Sequence, residues 1–413
     1  MGISGEFKKV REGIGSGLRD IIELESILTR NKALAPENGG DGELQKCLAL
    51  EEWLKKNGIT DLKRYDAPDS RVSSGIRPNL VATIKGLDDT KCIWVCAHLD
   101  VVPAGEKSLW KTDPWTLTEA DGKIYGRGVE DNQQGLCSGV LAALAFVRTG
   151  IMPKTTIKLL FMADEEVGSR YGVRYLIKEY PDFFSKNDLI LIPDGGDSNG
   201  ETIEIAEKNI AWFKFHTTGR QSHGSRPDLG RNAHLAACDL ALRVHDMENF
   251  FDEKNPLFDP PYSTFEPTMH MANVDGVNII PGDDVFCADC RINPGYTLDQ
   301  VRAELQKRID AVEKKYEVKI DVAELQAEQS VATKEDAPVV QKLKFALETA
   351  HGIKARCVGI GGGTVGAYLR NAGFDCVVWS SMDELAHQPN EYALISNIAK
   401  DAETKTEDRK SVV

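Results

Sequence analysis

The stretch Cys92-Ile-Trp-Val-Cys-Ala-His-Leu-Asp100 joins an apolar run to a histidine and an aspartate. A short, uninterrupted apolar run is typical of a strand that is buried on both faces of a sheet. Residues two apart on an extended chain point the same way, so the carboxylate of Asp100 can orient the imidazole of His98. Metal-binding histidines commonly have such a partner. Taken alone, the pattern also fits a hydrogen-bonded histidine at the end of a strand.

The segments on either side of this stretch alternate between apolar strands and amphipathic helices. Helices are predicted at 14–29, 43–56, 135–148 and 173–180, and strands at 79–84, 92–97, 156–162 and 188–193. This alternation predicts an α/β fold, with a mixed sheet flanked by helices.

From about residue 209 the order of the elements changes. The pattern predicts a strand (210–217), a helix (232–249), two strands (268–273 and 284–292), a helix (298–314) and a strand (316–322). This βαββαβ order is ferredoxin-like. After residue 330 the α/β pattern resumes, with helices at 338–350 and 364–371 and strands at 355–358 and 374–379. We therefore expect a first domain built from 1–208 and 329–400, an inserted domain at 209–328, and a mobile tail at 401–413.

Composition and charge narrow the classes of function. A chain of 413 residues, 41% hydrophobic and 28% charged, has the makeup of a folded globular protein with a sizeable core. Its net charge of −14 disfavours binding to nucleic acid or to anionic membranes. No apolar stretch approaches the roughly 20 residues of a membrane span. Nine cysteines without a secretory signal predict reduced thiols and a cytoplasmic protein.

Carboxylates follow two further predicted strands. Asp164-Glu165-Glu166 comes after strand 156–162, and Asp194 comes after strand 188–193. The loop Gly126-Arg-Gly-Val-Glu-Asp131 precedes the helix at 135–148, and its glycines allow a tight turn that directs Asp131 inward. Ligand-binding groups collect at the carboxyl ends of strands in α/β sheets, and crowded carboxylates raise the pKa of at least one of them, which suits a general base. For the acidic cluster alone, a solvated turn is the alternative.

Five motifs follow one another along the chain: His98-Leu-Asp-Val-Val-Pro, Gly126-Arg-Gly-Val-Glu-Asp131, Asp164-Glu-Glu-Val-Gly-Ser, Pro193-Asp194 and His387-Gln-Pro-Asn-Glu391. In this order they resemble the motifs of the co-catalytic zinc exopeptidase and deacylase family. That family includes acetylornithine deacetylase, succinyl-diaminopimelate desuccinylase, aminoacylase and glutamate carboxypeptidase. The resemblance covers about residues 90–395, including the inserted domain, which in the family is a lid and dimerisation domain.

The resemblance implies a site for two divalent metal ions, with zinc expected and cobalt or manganese as alternatives. Five residues would be the ligands: His98, Asp131, Glu166, Asp194 and His387. Asp131 would bridge the ions, with His98 and Asp194 on one and Glu166 and His387 on the other. Glu165 would be the general base, and Asp100 would orient His98.

The resemblance also assigns roles around the substrate. His223, in the inserted domain, would polarise the scissile carbonyl and in many relatives comes from the partner subunit, which implies a homodimer. Four further residues would contact the substrate: Asn278, Arg291, Gly362 and Thr364. A strand-edge ion pair is the alternative for Arg291, a turn residue for Asn278 and an exposed loop histidine for His223.

The expected activity is hydrolysis of an amide bond in a small molecule, with removal of the acyl group from an N-acylated amino acid. A dipeptidase or carboxypeptidase with the same site is the alternative. Residues Asn132-Gln-Gln-Gly135 and Thr364-Val365 depart from the usual family pattern, so the acyl preference stays open. A non-catalytic binding protein on the same fold is a further alternative, against which the presence of Glu165 argues.

Three patterns receive other interpretations. Cys287 and Cys290 form a CxxC, but positions three apart on a strand face opposite ways, which disfavours zinc binding. Gly361, Gly363 and Gly366 satisfy GxGxxG, yet a dinucleotide site belongs at the start of its domain, not near the C-terminus. Five histidines match no motif and are expected to have surface or packing roles: His216, His234, His245, His270 and His351.

Overall fold

The computed structural model describes residues 5–407, which pack into two compact units. The first unit comprises the residues up to 205, then 333–358, and those from 364 onward; the second comprises 206–332 and 359–363. The second unit is wider than the range 209–328 expected from the sequence. It takes in the turn at 359–363 because the N–H of Gly359 donates to the carbonyl of Leu257 (2.7 Å) and Arg291 donates to the carbonyl of Gly361 (2.8 Å).

The elements follow the chain in three groups. Those before the inserted unit are α1 (Gly5–Arg30), α2 (Leu44–Lys56), β1 (Leu62–Arg64), β2 (Ala67–Pro68), β3 (Ile76–Arg77), β4 (Leu80–Ile84), β5 (Asp88–His98), β6 (Thr118–Ala120), β7 (Lys123–Tyr125), α3 (Gly135–Thr149), β8 (Thr155–Met162), α4 (Val173–Glu179), β9 (Leu189–Asp197) and β10 (Thr202–Glu207). The next are β11 (Asn209–Thr218), β12 (Ser222–His223), α5 (Ala233–His245), β13 (Thr264–Met271), β14 (Ile279–Ile280), β15 (Asp283–Ile292), α6 (Leu298–Tyr316) and β16 (Lys319–Glu328). The last are α7 (Pro338–His351), β17 (Arg356–Ile360), α8 (Val365–Asn371), β18 (Cys376–Ser381), β19 (Tyr392–Leu394) and α9 (Ile395–Lys405). Among the described helices, none has both the length and the apolar composition to cross a membrane.

The first unit is built on an eight-stranded sheet with the order β1-β4-β8-β5-β9-β18-β10-β17. Strand β5 is parallel to both β8 and β9, whereas β4 is antiparallel to β8 and β10 is antiparallel to β18, so the sheet is mixed as the sequence predicts. Alternate residues of β5 enter two apolar clusters. Val95 and Ala97 pack with α1, α2, α3 and α9, and Trp94 and Cys96 pack with α4 and α8. Helices therefore cover both faces, which buries the centre of the sheet.

The second unit carries a four-stranded antiparallel sheet with the order β13-β15-β11-β16. Strand β11 lies between β15 and β16, and β13 forms one edge. Helices α5 and α6 contribute Leu240, Val301 and Ile309 to a core shared with Phe215 and Phe286 of the sheet. The chain order is the predicted βαββαβ, with the short pair β12 and β14 added.

The end of the chain corrects one prediction. A mobile tail from residue 401 was expected because the segment has few apolar residues, yet α9 continues to Lys405 and buries Asp401, Ala402 and Thr404. Asp401 accepts hydrogen bonds from the Ser380 hydroxyl (2.7 Å) and the N–H of Ser381 (3.0 Å). The prediction was therefore wrong for residues 401–407, and residues 408–413 lie outside the described part of the chain.

Candidate metal centre and active site

The carboxyl ends of three neighbouring strands meet at one edge of the large sheet. His98 is the last residue of β5, Glu165 and Glu166 lie in the turn after β8, and Asp194 lies near the end of β9. Because β8 and β9 flank β5 in parallel, these side chains are brought to the same edge. The structure thus gathers residues that are far apart in sequence.

Asp131 lies between two histidines. Its Oδ1 atom is 3.0 Å from Nε2 of His98, and its Oδ2 atom is 3.2 Å from Nε2 of His387. Each histidine faces a further carboxylate, because Nε2 of His98 lies 3.5 Å from Oδ1 of Asp194 and Nε2 of His387 lies 3.0 Å from Oε2 of Glu166. The five predicted ligands therefore form two histidine–carboxylate pairs that share the carboxylate of Asp131.

The electrostatics of this cluster favour a cation. Oε1 of Glu166 is buried and accepts no hydrogen bond from any of the described residues. Burial and the nearby Asp131 carboxylate raise the pKa of Glu166 to about 7, while Asp131 and Glu166 raise the pKa of His387 to about 10. Without a cation, protons must offset the crowded negative charge. Buried carboxylate oxygens and imidazole nitrogens are donors that suit zinc and similar divalent ions, so the residues fit a metal.

Glu165 lies beside the same cluster. Ligand atoms of Glu165, His98 and Asp194 all lie within 4.8 Å of one another. Burial, and after it the Asp194 carboxylate, raises the pKa of Glu165 well above its usual range. A buried carboxyl group with a raised pKa next to a candidate metal site can take up and release a proton.

Asp100 supports the cluster in a different way from the one expected. Nδ1 of His98 is 2.9 Å from the main-chain oxygen of Asp100 and 3.6 Å from its Oδ1, so the carbonyl, not the carboxylate, orients the ring. The carboxylate instead accepts the N–H groups of Glu165 and Glu166, both at 3.0 Å. Strand β5 ends at His98, so Asp100 lies beyond the strand, next to the turn that carries Glu165 and Glu166.

Two buried glutamates, to which the sequence assigns no role, fasten the Asp131 loop to the His387 loop. Glu391 accepts hydrogen bonds from the N–H groups of Gly128, Glu130 and Asp131 at 2.9–3.1 Å and from Arg127 at 2.6 Å. In return, Glu130 accepts the N–H of Asp383 at 2.7 Å and the N–H of Leu385. The only sequence signal was that each glutamate lies inside a predicted metal motif, Glu130 two residues after Gly128 and Glu391 two residues after Pro389.

Asp194, one of the five predicted ligands, is positioned by the residues after Asp131. The side-chain amide of Asn132 donates to Asp194 and to the carbonyl of Pro193 (3.0 Å). Gly135 begins α3 against the same proline, where a Cβ atom would lie 2.3 Å from the Pro193 oxygen. The start of α3 therefore packs against the end of β9 that carries Asp194.

The predicted substrate residues fall into separate groups. In the second unit, His223 and Asn278 lie close together, because β12 pairs with β14 and the N–H of Gly224 donates to the Asn278 carbonyl (2.7 Å). Nδ1 of His223 accepts the N–H of Ser225 (3.1 Å). Arg291 forms an ion pair with Asp289 (2.7 Å), the alternative considered from the sequence.

Near Arg291, the loop that contains the exposed Gly362 is held by the Arg291 bond to Gly361. Thr364, in the first unit, caps α8 by accepting the N–H of Gly366 (3.0 Å).

The two CxxC cysteines, Cys287 and Cys290, are both buried on β15.

Comparison with known proteins shows the family of the chain. An uncharacterised metallohydrolase of Methanococcus maripaludis is 40% identical, covering 94% of this chain and 97% of the relative. A succinyl-diaminopimelate desuccinylase of Rickettsia typhi is 27% identical over 93% of this chain and 95% of the relative. The solved structure of a dipeptidase from Saccharomyces cerevisiae superposes with a TM-score of 0.75 at 17% identity, covering 98% of each chain. Residues 94–406 match peptidase family M20/M25/M40. The chain belongs to this family and is a metal-dependent hydrolase.

Proposed function

We propose that the protein is a di-zinc hydrolase that cleaves amide bonds in small N-acylated amino acids. The observation that carries this proposal is the Asp131 carboxylate, whose two oxygens lie 3.0 and 3.2 Å from different histidines that each have a further carboxylate partner. A bridging acid between two histidine–carboxylate pairs suits two ions better than one. When bound, such ions lower the pKa of a water molecule and polarise a carbonyl oxygen.

Glu165 provides the proton transfer in this proposal. Its backbone is fixed by the Asp100 carboxylate, and its side chain lies beside His98 and Asp194 without being needed as a ligand in the five-residue set. It takes the proton from the attacking water and delivers it to the leaving nitrogen. Burial keeps the pKa of Glu165 raised, which brings its affinity for a proton closer to that needed near neutral pH.

His223 acts on the carbonyl oxygen in the proposed homodimer, supplied by the partner subunit. Because Nδ1 of His223 accepts a hydrogen bond from the N–H of Ser225, the ring proton lies on Nε2, which is then a donor. The second unit, the proposed lid and dimerisation domain, exposes apolar side chains on α5 and on the edge strand β13. Leu235, Leu242, Met269 and Met271 are 53, 71, 54 and 48% exposed. Exposed large apolar side chains on neighbouring elements are typical of an interaction surface.

The substrate proposal is supported by the desuccinylase relative, whereas the structural similarity to a dipeptidase supports the alternative of a peptidase acting on short peptides. Arg291, Asn278, Gly362 and Thr364 are the proposed substrate contacts. Arg291 is held rigidly by Asp289 and Gly361, which suits a fixed contact to a carboxylate.

The net charge of −14 supports a small molecule over a nucleic acid as substrate. We propose a cytoplasmic location from the cysteine content.

The experiment measures release of free amino acid from N-acetyl amino acids, N-succinyl amino acids and dipeptides, with and without added zinc. We expect faster turnover of the acylated amino acids, and loss of all activity after complete chelation. Faster turnover of dipeptides would favour the peptidase alternative, and activity that survives chelation would refute the metal mechanism.

The variant Glu165→Gln separates catalysis from metal binding. We expect turnover to fall by about 10²–10⁴-fold with zinc content unchanged, because a proton acceptor is lost but no ligand is. Glu179→Gln, at an exposed glutamate of α4, is the matched control and leaves both values unchanged. Loss of zinc from Glu165→Gln would show that the roles of Glu165 and Glu166 are exchanged.

A further inference from the structure

A second group of metal-binding side chains lies within the second unit. His234 is in the first turn of α5, His270 is on the edge strand β13, and Asp284 is on the neighbouring strand β15. The sequence offered no motif for either histidine. None of these residues belongs to the candidate active site described above.

Both imidazoles converge on one carboxylate. Nδ1 of His234 lies 2.9 Å from Oδ2 of Asp284, and Nε2 of His270 lies 2.9 Å from Oδ1 of the same residue. The two rings stack, with centroids 5.4 Å apart and an angle of 24° between their planes. One ligand atom from each of the three residues lies within 4.8 Å of the other two.

The carboxylate is fixed while the imidazoles are accessible. The Asp284 side chain is fully buried, whereas the side chains of His234 and His270 are 46 and 45% exposed. The side-chain amide of Asn273 donates to Oδ2 of Asp284 at 2.7 Å and orients it. In the single chain, an ion can therefore enter from solvent and meet a carboxylate that is already positioned, with a neighbouring group of the kind that supports metal ligands. His234 and His270 adjoin Leu235, Met269 and Met271 of the proposed dimer surface, so the site would lie at the margin of that surface.

We propose that His234, His270 and Asp284 form an additional binding site for a divalent transition-metal ion of the zinc type. Two imidazoles and a carboxylate are a common protein ligand set for zinc, and they leave one position for water or a fourth ligand. With zinc–ligand bonds of about 2.0–2.2 Å, tetrahedral donors lie about 3.4 Å apart. The present nitrogen–oxygen distances of 2.9 Å, each to a different oxygen of Asp284, need to open by about half an ångström, and the three ligand atoms lie within 4.8 Å of one another.

The bound ion would stabilise the edge of the small sheet. Among the described strands, β13 pairs only with β15, and its register shifts between Pro267 and His270. A metal that joins His270 to Asp284 and to α5 would hold the segment after this irregularity in place. Binding to the folded chain alone also stabilises it by mass action, so zinc should raise its melting temperature.

The test counts metal ions in the full-length protein, and it is independent of the proposed hydrolytic activity. Wild-type protein and the variant H234Q/H270Q are dialysed against buffered free zinc, and zinc per chain is measured by mass spectrometry. We expect the double variant to hold one zinc ion fewer per chain than wild type, and H270Q alone to show the same loss. Both replaced side chains are nearly half exposed, so the core stays filled; melting curves confirm folding.

The matched control is H216Q. His216 lies on β11 of the same unit and is also 45% exposed, but it faces the single carboxylate of Asp283. We expect this variant to retain the zinc content of wild type. Equal zinc in wild type and H234Q/H270Q would overturn the proposal and would identify the cluster as a hydrogen-bonded network. Failure of the protein to hydrolyse any amide would refute the proposed function but would leave this difference in zinc content unchanged.

Discussion

Replacing Glu391 by glutamine tests whether a residue outside the proposed ligand set holds the proposed metal ligands in place. Glu391 is fully buried, and its two oxygens accept four hydrogen bonds, two each. Oε2 accepts from Arg127 and Gly128, and Oε1 accepts from Glu130 and Asp131. A glutamine has the same shape, but its NH₂ group replaces one acceptor and faces two donors.

The magnitude follows from these contacts. Each buried donor that loses its acceptor costs about 1–3 kcal/mol, and breaking a buried ion pair from one side costs about 3–5 kcal/mol. Arg127 is itself buried, although it also donates to the carbonyls of His387 (3.2 Å) and Gln388 (3.3 Å), which limits the loss. We expect Glu391→Gln to lower the free energy of unfolding by about 3–5 kcal/mol. Zinc affinity should fall by about 10–100-fold, as for other residues that support metal ligands.

Urea unfolding measures the first quantity, and zinc competition with a chromophoric chelator measures the second. The control is Glu119→Gln, which removes an ion pair between Glu119 and Arg19 whose side chains are 41 and 75% exposed. That variant should change the free energy of unfolding by less than about 1 kcal/mol. If Glu391→Gln behaved like this control in both assays, the argument that Glu391 fastens the Asp131 loop would be refuted.

Three further predictions concern packing, pH and assembly. Gly135→Ala should lower the free energy of unfolding in urea by about 1–3 kcal/mol, because its Cβ would collide with the Pro193 carbonyl. On α1, a Cβ at Gly15 would meet no described atom within 4 Å beyond the neighbouring helix backbone, so Gly15→Ala should raise that free energy by about 0.5–1 kcal/mol. Burial raises the pKa of Glu25 from 4.5 to about 8, so the folded chain keeps a proton that the unfolded chain releases, and this group's contribution to stability declines as pH rises through that window. The free energy of unfolding in urea should therefore fall with rising pH, by up to about 1.4 kcal/mol per pH unit from this group. Glu25→Gln should abolish that part of the pH dependence, whereas Glu23→Gln, on the exposed side of α1, should keep it. Leu242→Glu should convert the proposed dimer to monomers in sedimentation equilibrium, and Leu87→Glu, 75% exposed on the first unit, should not.

The sequence predicts the order of the main elements because their apolar periodicity is strong. Strand 156–162 and helix 135–148 differ from β8 and α3 by a single residue at one end. The ends of helices and strands were predicted less well, because the backbone conformation of one residue can decide where an element ends. Helix α6 runs to Tyr316 and ends at Glu317 in the left-handed conformation (φ +53°), so β16 begins at Lys319, three residues later than expected. Helix α1 begins at Gly5, well before 14, since its glycines at 13, 15 and 17 obscure the amphipathic pattern.

The candidate site was also predicted only in part from the sequence. The order of the motifs indicates which acids and histidines to expect. The structure places the five predicted ligands and Glu165 at one edge of the sheet. The supporting contacts could not be predicted, because they join a main-chain N–H to a side chain more than 250 residues away, as Glu391 does with Gly128. Polar burial of this kind leaves no periodic signal, which is also why the helical end of the chain at Asp401 was missed.

Anomalous diffraction at the zinc absorption edge, from crystals grown with zinc, tests the central claim most directly. The account predicts two strong peaks that share the Asp131 carboxylate, one bound by His98 and Asp194 and the other by Glu166 and His387. A single peak in this cluster, or none, would contradict it.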